Sequence, residues 1–243
     1  MSSSLKKQSI KERLRARWRG FRSRVRNWYD PIANVNSYSQ EGEDIILSRI
    51  LGDEACNTVY VDVGCNHPLR FSNTAMFYQK GGSGVVIDPN PDFEALFKSH
   101  RPRDLFVNCG VGLEAGSLTY YRFDEPALNT FCSTRRDELL QKGRYRLIKE
   151  TTVAVLPLAR VLEEVWPTGK NIDLLSVDVE GMDEEVILSH NFEKYPCRFI
   201  LVEGNAEDLH HALELALTRM IQAKGFRCIA KMYRSILFKN TRT

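Results

Sequence analysis

"VYVDVGCNHPLRFSNT", residues 59–74, begins as a run of strand formers and changes character at Gly64, which Cys65, Asn66 and His67 follow. An acid, Asp62, stands two positions before the glycine. Downstream, "NTAMFYQKG" (73–81) reads as a helix that stops at its glycines, and "GVVIDPN" (84–90) as a second strand leading into the helical "PDFEALFKSH" (91–100). Two strands joined by a helix of this length imply a parallel pair.

The alternation continues through "DLFVNCGVG" (104–112), the strand-like "GSLTYYRF" (116–123), a loop around "DEPALNTFCST" (124–134), and a strand running into a helix across "TTVAVLPLARVLEEVW" (151–166). Next come "IDLLSVDV" (172–179), the helical "MDEEVILSHNF" (182–192), "RFILVEG" (198–204), one long helix over 206–225, and two short strands, "FRCIAKM" and "SILFKN", near enough to pair as a hairpin around Tyr233. A first helix is expected in "NSYSQEGEDIILSRIL" (36–51), where Ser37 and Gln40 fit a capping box. The pattern predicts an α/β fold: a doubly wound, mostly parallel sheet that ends in a C-terminal antiparallel hairpin.

A chain of 243 residues suits one such domain with an extension, and an apolar fraction of 43% with 27% charged residues is ordinary for a globular protein. No apolar run approaches the roughly 20 residues a spanning helix needs. The six cysteines are scattered with no CxxC pair, which argues against a disulfide scaffold or a zinc site and for a reducing cytoplasm.

Ligands of an open α/β sheet bind outside the carboxyl ends of its strands, and four of these ends carry acids or amides: Asp62, Gly64 and Asn66; Asp88 and Asn90; Asp178 and Glu180; Glu203 and Asn205. Asp88 follows Gly64 by about 25 residues, near the offset of an acid that binds a ribose diol. The glycine-rich phosphate cradle of a dinucleotide site is missing, because Asn66, His67 and Pro68 stand where GxGxxG would continue. S-adenosylmethionine has a ribose but no phosphate, and its amine and sulfonium suit acids such as Asp62. The opening stretch therefore reads as a turn that lets the backbone approach this cofactor.

"SQEGED" (39–44), "VDVGCNHP" (61–68), "FSNT" (71–74), "IDPNP" (87–91), "EPALNTF" (125–131) and "LLSVDVEGMDEEVI" (174–187) together resemble the FkbM family of S-adenosylmethionine-dependent methyltransferases, from about Ser37 to Lys239. The family usually has alanine at the position of Cys65. The resemblance implies a Rossmann-like class I methyltransferase fold, O-methyl transfer to a hydroxyl, Asp62, Gly64 and Asn66 around the methionine portion, Asp88 on the ribose and Asn108 near the adenine. Gln40 is a further candidate for the cofactor pocket. The association of such proteins with polysaccharide and glycolipid assembly makes a sugar hydroxyl the expected acceptor; a secondary-metabolite hydroxyl and a non-catalytic scaffold are the alternatives.

An alcohol is a poor nucleophile while it keeps its proton, so a base is needed. His67 has a suitable unperturbed pKa, but it could equally hold its loop by a backbone hydrogen bond. Asp178 and Glu180, expected on one side of an extended strand, are the other candidates; as close carboxylates they either raise one pKa or bind a cation such as Mg²⁺. Arg70, Ser72, Asn73 and Asn129, in loops over the same sheet edge, are candidates to bind a hydroxyl-rich acceptor.

Residues 1–36 form a separate arm, carrying Lys6, Lys7, Lys11, Arg13, Arg15, Arg17, Arg19, Arg22, Arg24 and Arg26 against Glu12 and Asp30; the methyltransferase domain is expected over 37–243. Leu14, Trp18, Phe21, Val25 and Trp28 recur at helical spacing, the makeup of a helix lying on an anionic membrane surface. A solvated basic tail is the plain alternative. The expected setting is cytoplasmic, peripheral on the inner face of the membrane, with no nucleic-acid partner.

Overall fold

Strand β1, Val59–Val63, sits in the interior of the main sheet because nearly every residue of it is buried. The other strands are β2 (Ser83–Ile87), β3 (Leu105–Val107), β4 (Gly110–Val111), β5 (Gly116–Phe123), β6 (Leu147–Leu156), β7 (Ile172–Val177), β8 (Cys197–Glu203), β9 (Phe226–Lys231) and β10 (Ser235–Asn240). The computed structural model describes residues 36–167 and 169–242; the basic arm and the helix expected in it lie outside them.

Among the described residues the main sheet has seven strands in the order β3-β2-β1-β7-β8-β10-β9. The first five are mutually parallel, and β10 runs antiparallel to both neighbours. The C-terminal hairpin thus forms as expected, but its second strand is the inner one. Strand order reverses between β1 and β7, so the chain's first crossovers wind one way and its later ones the other. The crevice at that switch point is where open α/β sheets bind ligands.

Alternate residues of β1 and β2 explain the layers. Val61, Val63, Val85 and Ile87 join one apolar cluster, and Tyr60 and Val86 join the other. The first cluster is closed by helices over Leu158–Val165, Asp183–Ser189 and Ala216–Ala223; the second is closed by Glu43–Leu51, Ala75–Gln79 and Asp92–His100. Both faces of β1 are buried, so a one-residue slip would be costly chiefly because it would move the Asp62 carboxyl into the cluster of Val61 and Val63.

Four local details differ from the sequence reading. The first helix starts at Glu43 behind a left-handed Gly42, and the Ser37 hydroxyl donates to Asp44 (2.7 Å) instead of capping with Gln40. The expected long helix over 206–225 is two helices, Leu209–Glu214 and Ala216–Ala223, broken at an extended Leu215. The Thr218 hydroxyl donates to the Ala212 carbonyl (2.6 Å), satisfying an acceptor that the break would otherwise strand. A helix over Ser133–Gln141 follows the 124–134 loop, and β5 and β6 leave the main sheet to form a small one with β4. No helix among the described residues is long and apolar enough to cross a membrane.

Candidate active site

Gly64 ends β1 with φ +80, and a Cβ there would lie 1.8 Å from the Asp178 carbonyl oxygen. Only glycine lets the ends of β1 and β7 meet so closely. The contact is fixed by Asp178 N–H donating to the Val63 carbonyl (3.0 Å) and Gly64 N–H donating to the Ile87 carbonyl (2.9 Å). Asn66, at φ +48, directs its N–H to Asp88 Oδ2 (2.9 Å), while Asn90 N–H donates to Asp88 Oδ1 (2.8 Å). Burial pushes Asp88 up to about 7 against the pull of those two N–H groups.

One pocket at this edge is lined by Gly64, Asn66, Asp88, Asn129, Asp178 and Glu180, with Ile87, Val111, Tyr120 and Phe131 as its apolar walls. It contains three carboxylates and no cationic side chain. Asp62 is outside the lining and buried, accepting a hydrogen bond from the Thr74 hydroxyl (2.5 Å); burial raises its pKa. Asn108 is outside the lining and holds the Asp88 carbonyl through Nδ2 (2.9 Å).

β7 ends at Val177, so Asp178 and Glu180 do not share an extended strand; Glu180 occupies a left-handed turn at φ +53. The turn still gathers their carboxylates with that of Glu203, all within 4.8 Å of one another. Carboxylates at that spacing raise one another's pKa unless cations offset them, and Arg135 (3.0 Å from Glu180) and Arg234 (4.0 Å from Glu203) do so in part. Asp178 is driven well up by burial and by the charges of Glu203, Glu180 and Asp183. Glu203 and Asp183 are each pushed up to about 7, chiefly by burial. Glu180 is raised by burial against the pull of Arg135, whose Nη2 lies 3.0 Å from Oε2. Glu203 and Asp183 were absent from the sequence-based catalytic candidates, although Glu203 had been visible as a strand-end acid.

His67 Nδ1 accepts the backbone N–H groups of Leu69 (3.1 Å) and Arg70 (3.0 Å), so the ring holds the loop after the turn and lines no pocket described here. Burial lowers its pKa. Ser72 is 1% exposed and accepts from Arg101 (3.0 Å) and from Ala75 N–H (3.1 Å). Asn73 donates to the Ser176 hydroxyl (3.3 Å), and Asn129 Oδ1 accepts from Phe123 N–H (2.8 Å) while lining the pocket. Arg70 forms a two-pronged pair with Glu125 (2.9 and 2.8 Å) in a neighbouring cleft that also contains Gln40, away from the strand-end pocket.

A pocket at the switch point of a doubly wound sheet defines an α/β protein with its ligand site at the carboxyl ends of the strands. The chain belongs to the methyltransferase FkbM domain family, whose model matches residues 62–228. Among solved structures, it is similar to a candidate O-methyltransferase from Klebsiella pneumoniae, at 6% identity over 86% of this chain and 82% of that one, TM-score 0.44. It is also similar to an O-methyltransferase from Bacillus cereus in complex with SAH, at 9% identity over 86% and 84%, TM-score 0.41. No curated protein matches the chain.

Proposed function

We propose that the protein is an S-adenosylmethionine-dependent O-methyltransferase acting on a hydroxyl of a sugar in a glycan or glycolipid precursor. The observation that carries the cofactor is the charge of the strand-end pocket, three carboxylates with no cation. Such a lining repels phosphates and favours a ligand with an amine, a sulfonium and a diol.

When bound, S-adenosylmethionine supplies an electrophilic methyl group on sulfur. Asp88 is assigned the ribose hydroxyls and the Gly64–Asn66 turn the methionine portion. Ile87, Val111 and Phe131 offer apolar walls to the base, with Asn108 securing the Asp88 backbone behind them. Asp178 takes the proton of the acceptor hydroxyl. Among the described residues no side chain donates a hydrogen bond to its carboxylate, whereas Glu180 is already engaged by Arg135. His67 is given the loop-holding role, since its Nδ1 already accepts two N–H groups.

The sugar acceptor and attachment of the 1–36 arm to an anionic membrane rest on the family resemblance and on the arm's composition; the catalytic domain is then 37–243. Removal of residues 1–30 is expected to abolish binding to anionic vesicles and leave turnover of a soluble acceptor unchanged.

Calorimetric titration with S-adenosylmethionine tests the cofactor assignment. The wild type should bind saturably, and Asp88→Ala should weaken binding at least tenfold, about 1.4 kcal/mol. Absence of binding by a folded wild-type protein would reject the proposal.

A further inference from the structure

A second cleft opens beside the strand-end pocket, sharing Ala127 and Glu180 with it, and its charge is opposite. Five cationic side chains, Arg70, Arg135, Lys142, Arg144 and Arg234, line it against the carboxylates of Glu41, Glu125 and Glu180. The acids are spoken for: Glu125 by Arg70, Glu180 by Arg135, and Glu41 Oε2 by the N–H of Arg234 (2.7 Å). Arg234 stands 4.0 Å from Glu203. Lys142 and Arg144 have no carboxylate partner among the described residues.

Lys142 is also close enough to Glu180 to pull its pKa down, so its charge acts where the two cavities meet. The cleft is shaped to receive more than an ion. Phe71, a bulky residue held at φ +58, keeps its ring 39% exposed here with the Arg70 guanidinium 4.1 Å above it. A phenylalanine in that backbone region is strained, and strained residues cluster at active sites and ligand clamps. Tyr145 and the 80% exposed Tyr233 give the cleft two further aromatic surfaces.

Resting on the methyltransferase reading above, we propose that the acceptor carries a phosphate or pyrophosphate group, held by Lys142 and Arg144 while its hydroxyl reaches Asp178 past Glu180. A neutral sugar or secondary metabolite would leave those cations unused. An anion here also keeps the two ligands apart by charge, since the donor's cationic end suits the acidic pocket and the acceptor's anionic end does not.

Pyrophosphate titrated by calorimetry into the full-length protein, with and without saturating S-adenosylhomocysteine, tests this directly. We expect saturable binding, weakened at least tenfold in a K142A/R144A double variant whose S-adenosylhomocysteine affinity and thermal melt match the wild type. A K98A/R227A double variant, which removes equal charge from residues that line neither cavity, should bind pyrophosphate as the wild type does. No pyrophosphate binding, or equal weakening by both double variants, overturns the proposal. Failure of S-adenosylhomocysteine to bind would overturn the cofactor assignment instead, while the titration without it still reads the cleft. Displacement of pyrophosphate by UDP-glucose would support a soluble nucleotide-sugar source. Displacement only by vesicles bearing an isoprenyl phosphate would support a lipid-linked one.

Discussion

Arg101→Ala is expected to cost about 3–5 kcal/mol of stability, the range for removing one partner of a buried ion pair. The guanidinium is fully buried. Nε donates to Asp104 Oδ2 (2.6 Å), Nη1 to the Pro68 carbonyl (3.2 Å) and the Ser72 hydroxyl (3.0 Å), and Nη2 to the Tyr60 hydroxyl (3.1 Å) and the Thr74 hydroxyl (2.9 Å). Truncation leaves the Asp104 carboxylate, whose side chain is also fully buried, without its cation. Lysine is no substitute, because a point charge cannot serve five acceptors arranged in a plane. In a chain of this size the loss corresponds to a fall in Tm on the order of 10 °C. Denaturant unfolding measures it, and a loss below about 1 kcal/mol with an unchanged m-value would contradict the account. A functional consequence follows: Thr74 is shared by Arg101 and Asp62, so the variant should also loosen the 66–74 loop and weaken cofactor binding.

The sequence exposed the strand-end chemistry because parallel strands are continuous apolar runs, and the residues where each run stops are those that face the crevice. Asp62, Gly64, Asp88, Asp178, Glu180 and Glu203 were all marked by that rule, and β2, β1, β7 and β8 are adjacent in the sheet, which brings these ends into one row. Arg101 was invisible because "SHRPRD" (99–104) reads as an exposed helix end; its partners Tyr60, Pro68, Ser72 and Thr74 come from other segments. The same holds for the basic cleft. Its cations come from the 69–71 loop, the 133–144 region and the tip of the β9–β10 hairpin, which no local period connects. Tyr120 lies in a segment that reads only as a strand; because β5 leaves the main sheet, its ring packs on Phe131 (4.8 Å) and the pair becomes a wall of the pocket. The helix break at Leu215 had no local signal stronger than Thr218, whose hydroxyl serves Ala212 only after the break exists.

Asp178→Asn should lower kcat by about 10²–10⁴, the usual contribution of a positioned base, with a smaller loss of S-adenosylmethionine affinity than Asp88→Ala gives. Asparagine keeps the shape of the side chain and removes only its ability to take a proton, so a selective loss of kcat isolates that role. The pH profile supplies a second readout. A carboxylate base works in its ionised form, so activity must rise with pH through the base's pKa and level off above it. Burial and the neighbouring carboxylates raise Asp178, and Glu203 is pushed up to about 7, so the rising limb should lie well above the range of an exposed aspartate. Because Asp178, Glu180 and Glu203 interact, that limb belongs to the cluster and not to one group. Glu203→Gln removes a negative neighbour of Asp178 and should move the limb to lower pH with a smaller effect on the plateau rate. Asp178→Asn should instead depress the plateau itself. If Glu203→Gln depressed the plateau as strongly and Asp178→Asn only shifted the limb, the proton acceptor would be Glu203, and Asp178 would be the residue that tunes it.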